Sequence, residues 1–196
     1  MKLFWLLLIT FFNFFPVLTQ AQHPITFFTK TEAAQVKNNI SKYPLSLNSF
    51  NELKKEVDAW VNKDVDVPVP KDPAGGYTHE KHKANYMLMF NSGILYNLTG
   101  DIKYAALVKQ LFLKYAKLNP TLPKHPESVG SLTGHIFWQS LNDANWLVYT
   151  GMAYDLIYNS LSSEERKTIT DGAFKPEVDH LINGVGNNWF NWIHNH

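Results

Sequence analysis

Apolar residues recur at steps of three and four along most of the chain, and no long run alternates strictly between apolar and polar. This spacing predicts amphipathic helices rather than strands. Turn and capping residues divide the pattern into helices at about 49–62, 80–100, 101–119, 137–158 and 162–182. We therefore predict an all-α fold of antiparallel helical hairpins. The pattern alone allows either the arc of an α/α toroid or a plain bundle.

Local signals mark several of the predicted helix ends. Ser49 with Glu52, and Ser162 with Glu165, have the spacing of a capping box, in which each side chain bonds the other residue's backbone N–H. Gly100 is suited to the left-handed conformation that ends many helices, and Asp101 is suited to open the next one. These signals predict a tight connection at 100–101.

The first residues have the pattern of a secretory signal peptide. Lys2 precedes an apolar run from Leu3 to Phe15, Pro16 interrupts it, and Ala21 follows at a small-residue cleavage position. A membrane anchor is the alternative, but it needs a span of about 20 apolar residues. We therefore predict cleavage after Ala21, a periplasmic or secreted protein, and no stable membrane anchor after cleavage.

Composition excludes several classes of function. The chain has 196 residues, with 18 Lys and Arg against 17 Asp and Glu, so its formal net charge is +1 and it lacks the basic field of a nucleic-acid-binding protein. Arg166 is the single arginine, which disfavours heavily sulfated or phosphorylated ligands. The absence of cysteine excludes disulfides and thiol catalysis.

The last six residues are rich in groups that could carry chemistry. Asn191, His194, Asn195 and His196 offer amides and imidazoles, with Trp189 and Trp192 beside them. Such neutral donors can bind a carboxylate and stabilise negative charge that develops on it, and imidazole can move protons near neutral pH. The alternative is a polar tail without a function.

A second candidate is the junction between a glycine-containing loop and a helix, Gly75–His82. His79 and His82 could face the same way on the first helical turn. Together with Glu80 they suggest a metal, but the spacing does not match H-E-x-x-H and no third ligand lies at a defined distance. We therefore predict no metal site, and a loop that lines a cleft.

The third candidate is the start of the helix at 137–158. Gln139, Asn142 or Asp143, and Trp146 share one stripe, opposite a stripe formed by Leu141, Ala144, Val148 and Met152. Amides beside an indole are typical of a sugar site, so we predict that Gln139, Asn142 and Trp146 bind substrate. A buried polar network between helices is the alternative.

Three segments, in this order along the chain, resemble the alginate lyases and heparinase II/III-like lyases, most closely the oligoalginate lyases of polysaccharide lyase family 17. They are Val67–His82, Phe137–Ala144 and Phe190–His196. The resemblance implies an N-terminal α/α toroid followed by an antiparallel β-sandwich domain. We accordingly expect a signal peptide at 1–21 and an incomplete toroid at 22–196, cut off at His196 before the β-sandwich.

The resemblance also implies a reaction and roles for residues. The reaction is β-elimination: the carboxylate at sugar C5 is neutralised, the C5 proton is removed, and the bond to O4 breaks. Asn195 and His196 match the family's Asn-His pair that neutralises the carboxylate, and Trp138 and Gln139 would line the sugar subsites. His79 or His82 would lie at the cleft edge. The catalytic tyrosines should follow His196, so we expect this chain alone to be inactive.

The expected partners are alginate or related uronate oligosaccharides, and not nucleic acid. The resemblance implies no cofactor in this chain, although the C-terminal domain of the family leaves room for a structural metal. Two alternatives stay open: a glycosaminoglycan lyase, and a non-catalytic helical protein that binds glycans through Trp138, Gln139 and Trp146.

Overall fold

The computed structural model describes residues 22–128 and 133–184, and the regular structure in these ranges is helical apart from one isolated bridge between Thr133 and Gln139. The helices are α1 (Lys30–Asn39), α2 (Pro44–Asp58), α3 (Tyr77–Thr99), α4 (Ile102–Leu118), α5 (Ser140–Ile157), α6 (Ser163–Ile169) and α7 (Lys175–Asp179). Thr170–Phe174 and His180–Gly184 form π-helical turns before and after α7. The predicted all-α fold is confirmed, while the toroidal arrangement remains a prediction.

Helices α3, α4 and α5 form the core of the described structure. Gly100 ends α3 in the left-handed conformation, with φ 79°, and the Asp101 side chain accepts a hydrogen bond from the backbone N–H of Lys103 at 3.1 Å. This connection folds α4 back along α3. Helix α5 packs closely on α3 at Gly93, where an added Cβ would lie 2.9 Å from the Cβ of Leu156. The predicted connection at 100–101 is thus confirmed.

The capping predictions had mixed outcomes. Ser162 and Glu165 form the predicted capping box at the start of α6. The box predicted at Ser49 is wrong, because α2 already begins at Pro44 and Ser49 lies inside it. Proline fits the first turn of a helix, where no intrahelical N–H bond is lost. Helix α1, which opens with its own capping box at Thr29, was not predicted.

Helix α5 begins later than predicted, and part of its polar stripe is buried. Its N-cap is Gln139, so Phe137 lies in the preceding loop. The side chains of Asp143 and Trp146 are buried, whereas Leu141 is 62% exposed and Val148 is 57% exposed. The predicted polar stripe is therefore the inward face, because Asp143 binds the preceding loop and Trp146 packs on Tyr115.

The first described residues are attached to the C-terminal half of α5. The Asp155 carboxylate accepts hydrogen bonds from the backbone N–H groups of Ile25 at 2.7 Å and Thr26 at 2.8 Å, and it pairs with the His23 ring. The His23 ring also stacks on Tyr158, with centroids 3.8 Å apart. In the described ranges no helix is both long and apolar enough to cross a membrane. The predicted signal peptide lies outside these ranges.

Candidate functional site

The loop of residues 133–139, called here the 133–139 loop, leads into α5 and presents two of the predicted sugar-binding residues. Trp138 and Gln139 are half-buried at its end. The Trp138 carbonyl accepts hydrogen bonds from the Ser128 hydroxyl at 2.8 Å and from the Gly134 N–H at 3.3 Å. These bonds close the loop on itself and fix the backbone that carries the indole.

Asp143 holds the same loop from α5. Its carboxylate accepts hydrogen bonds from the backbone N–H groups of His135 at 2.7 Å, Ile136 at 3.1 Å and Phe137 at 2.9 Å. Burial raises the pKa of this carboxyl well above its ordinary value, and the nearby Glu177 adds to the rise. The N–H donors of His135 and Phe137 oppose it. Successive N–H groups that converge on one anion form a rigid turn. Asp143 is therefore a structural residue of the loop.

Gly134 is required by this arrangement. A Cβ added there would lie 1.9 Å from the carbonyl oxygen of Phe137 and 2.7 Å from Asp143 Oδ2. Both contacts are too short for any side chain. The loop can thus close over the carboxylate only because position 134 lacks a side chain.

Asn142 and His79 lie together next to this loop. The Asn142 amide nitrogen is 3.4 Å from His79 Nε2, and the His79 ring meets Phe137 edge to face at 5.0 Å between centroids. His79 is buried and Asn142 is half-buried. Burial lowers the pKa of His79, which favours the neutral ring. The structure thus brings four predicted site residues to one region: His79, Trp138, Gln139 and Asn142.

His82 and Trp146 lie behind this region, inside the core. The His82 Nδ1 is 2.9 Å from the Tyr115 hydroxyl, and the Trp146 ring meets the Tyr115 ring at 5.1 Å between centroids. Both side chains are fully buried, and burial lowers the pKa of His82 to about 3. They were predicted to contact substrate, but in this structure an oligosaccharide has no access to either. The residue types suit a sugar site, and sequence spacing does not distinguish a buried face from an accessible one.

Two residues beside the 133–139 loop were not predicted from the sequence. His135 Nδ1 lies 2.5 Å from Glu177 Oε1, and both side chains are buried. They are 42 positions apart, so no local spacing pairs them.

Asn195 and His196, the predicted catalytic residues, lie outside the described residues, together with Asn191, His194 and the tryptophans beside them. Within 22–128 and 133–184, no three His, Asp or Glu side chains are grouped so that they could hold a metal ion. His79, His82 and Glu80 accordingly form no such group.

Comparison with known proteins gives two relatives and no matching family model. An exo-oligoalginate lyase of Saccharophagus degradans is 42% identical over 174 residues, which are 89% of this chain and 24% of that enzyme. An alginate lyase of Stenotrophomonas maltophilia is 39% identical over 168 residues, 86% of this chain and 22% of the relative. The chain spans about a quarter of the length of these enzymes, and over most of its own length it is a homologue of the alginate lyases.

Proposed function

We propose that this chain is part of a secreted polysaccharide lyase that cleaves alginate oligosaccharides by β-elimination. The observation that carries the proposal is the identity of 42% and 39% to two enzymes named as alginate lyases, over almost the whole chain. The leader pattern at residues 1–21 supports secretion.

The region around the 133–139 loop supports a sugar site. Trp138 offers a half-buried indole for the C–H face of a pyranose, while Gln139 and Asn142 offer amide donors and acceptors to its hydroxyl groups. His79 is buried beside Asn142, and burial lowers its pKa, so its neutral ring brings no charge to the site. The proposed sugar contacts are thus neutral and partly aromatic.

In the proposed reaction Asn195 and His196 donate hydrogen bonds to the C5 carboxylate. These bonds stabilise the negative charge that grows there while a base, which the family resemblance implies is a tyrosine, takes up the C5 proton. The electron pair of the C5–H bond forms the C4=C5 double bond, and the C4–O4 bond breaks with its pair on O4. An acid, which the family resemblance implies is a second tyrosine, donates a proton to O4, which leaves a new hydroxyl on one product and an unsaturated uronate on the other.

The test uses the product of the whole reading frame that contains this chain, incubated with alginate oligosaccharides. Ultraviolet absorbance by the unsaturated uronate should rise with time. The rise should disappear in Asn195→Ala and in His196→Ala. Asn38→Ala, which changes an exposed asparagine of α1, should leave it unchanged.

Other results would redirect the proposal. A rise in absorbance with a glycosaminoglycan but not with alginate would support the β-elimination and assign a different substrate. Saturable binding of alginate oligosaccharides without any unsaturated product would favour the non-catalytic glycan-binding protein. Full activity in both Asn195→Ala and His196→Ala would refute their catalytic role.

A further inference from the structure

A buried ion pair lies under the 133–139 loop and has no part in the proposed reaction. Glu177, on α7, is fully buried, and its Oε1 lies 2.5 Å from His135 Nδ1. On the other side of the ring, His135 Nε2 donates to the Leu122 carbonyl at 3.0 Å. Both ring nitrogens therefore have partners, and the imidazole cannot rotate without breaking both bonds.

The hydrogen bonds favour a protonated His135, whereas burial raises the pKa of Glu177 and so opposes its charge. A carbonyl oxygen only accepts hydrogen bonds, so His135 Nε2 must carry a proton. Burial lowers the pKa of His135, but the hydrogen bond and the charge of Glu177 together outweigh burial, so its pKa is raised. An imidazolium can then donate from both nitrogens, to Glu177 and to Leu122. Hydrogen bonds between charged partners are the stronger and more directional ones.

The pair is joined to the backbone of the loop at two points. The His135 N–H is one of the donors to Asp143. His180, in the turn after α7, stacks on the His135 ring with centroids 5.1 Å apart, and its Nε2 donates to the Thr133 carbonyl at 2.9 Å. The segment that carries Glu177 and His180 thus fixes both the side chain and the backbone at the start of the loop.

The turn before α7 fixes the position of the segment that carries Glu177 and His180. In the π-helical turn Thr170–Phe174, the Ala173 carbonyl accepts a hydrogen bond from the Asn119 amide at 2.9 Å. Gly172 packs against the end of α4, where an added Cβ would lie 2.5 Å from the Ala116 carbonyl oxygen. Single π-helical turns within helices occur often at functional sites. This turn sets the direction from which Glu177 enters the core.

Burying an ion pair in this space costs free energy of folding. A buried pair is often no more stabilising than apolar side chains of the same volume, because both charges lose their hydration. Glu177 Oε2 has no hydrogen-bond partner in the described ranges, which adds to the cost. What the pair provides, and apolar side chains would not, is one fixed orientation of the His135 ring and of the loop attached to it.

We propose that Glu177 is a positioning residue, which acts through His135 to hold the 133–139 loop so that Trp138 and Gln139 meet the sugar. This inference rests on the proposed function, because it takes Trp138 to be a sugar contact. It assigns a role in affinity to a side chain that touches no substrate.

The test compares Glu177→Met, which keeps the volume and removes the charge, with Glu177→Gln, whose amide can still donate to a neutral His135. Asp179→Asn is the control, since Asp179 lies on the same helix and pairs with Lys175 at the surface. Glu177→Met should weaken binding of alginate oligosaccharides on the order of tenfold, the equivalent of about one lost hydrogen bond. Glu177→Gln should recover part of the loss, and Asp179→Asn should bind normally.

Coupling to Trp138 separates positioning from a general loss of stability. If Glu177 acts through the loop, Glu177→Met should weaken binding much less in a Trp138→Ala background than in the wild type. Amide hydrogen exchange at 134–138, measured without ligand, should rise in Glu177→Met and not in Asp179→Asn. Additive losses of binding, or exchange unchanged from the wild type, would overturn the inference. Should Glu177→Met fail to fold, Glu177→Gln undergoes the same exchange measurement with the same criterion.

Failure of the proposed function gives a different result. Normal binding by Trp138→Ala would remove Trp138 from the sugar site and overturn the positioning role, whereas the proposed lyase reaction fails only if no unsaturated uronate forms. Weak binding by Trp138→Ala with normal binding by Glu177→Met would leave the sugar site standing and overturn the positioning role alone.

Discussion

Acidification should destabilise the protein through His82, whose ring is neutral in the folded state. Burial lowers its pKa from the ordinary 6.5 to about 3 in the folded chain. Between these values the unfolded chain binds a proton that the folded chain does not. The stability that neutral His82 provides is therefore complete above pH 6.5 and is lost as the pH falls toward 3.

The size of the effect follows from the pH interval. Each pH unit below the ordinary pKa favours the unfolded chain by about 1.4 kcal/mol, so a fall to about pH 4.5 should cost about 2.7 kcal/mol from this residue. Chemical denaturation at pH 7.5 and 4.5, followed by circular dichroism, measures the free energy of unfolding at both values. His82→Asn keeps an acceptor for the Tyr115 hydroxyl and cannot titrate, so the share of the difference that is due to His82, about 2.7 kcal/mol, should disappear.

Other histidines make the comparison with a variant necessary. Burial also lowers the pKa of His79 and His125, and their contributions remain in both proteins. Tyr115→Phe is the control, because it removes the hydroxyl 2.9 Å from His82 but leaves the histidine to titrate. It should lower stability at both pH values and keep the pH dependence. If His82→Asn retained the full wild-type pH dependence, the assignment of a neutral buried His82 would be wrong.

Four further substitutions test the packing and the capping. Gly134→Ala places a Cβ 1.9 Å from the Phe137 carbonyl oxygen and should lower the free energy of unfolding by more than about 3 kcal/mol. Gly151→Ala is the control: an added Cβ there has nothing within 4 Å, so the change should be neutral or stabilising. If calorimetry showed the same loss of stability for Gly134→Ala and Gly151→Ala, the steric role of position 134 would be contradicted. Trp146→Ala should cost about 3–5 kcal/mol in chemical denaturation because the indole is fully buried; a loss below 1 kcal/mol would argue against its core position. Ser162→Ala should cost about 1 kcal/mol by loss of its cap, and an unchanged melting temperature would speak against the capping box.

Features that depend on near neighbours could be predicted from the sequence. Gly100 ends one helix and Asp101 caps the next, so two adjacent residues define this connection. The capping box of Ser162 involves only Glu165, three residues later. The same local rule failed at Ser49, because Pro44 starts the helix earlier and the box then falls inside it. A local signal is therefore reliable only when no stronger start signal precedes it.

The candidate site depended on contacts that the sequence does not reveal. The sequence allowed either a sugar site or a buried polar network on the polar stripe of α5. In the fold, Asp143 and Trp146 of this stripe are buried, whereas Leu141 is exposed. The reason is that loop N–H groups satisfy Asp143 and that Tyr115, 31 positions before Trp146, packs on the indole. Polar side chains and tryptophans occur both in buried networks and in sugar sites. Only the fold therefore shows that Trp146 is buried while Trp138 is partly exposed.

The attachment of His23 and Thr26 to Asp155 has a consequence for the order of folding. These partners are separated by 132 and 129 positions, so the N-terminal segment cannot dock until the ribosome has completed α5. Contacts between such distant positions form late because a long loop must close first. Until then His23 and Thr26 lack their partner on α5, so this segment stays accessible to any factor that acts on the nascent polypeptide.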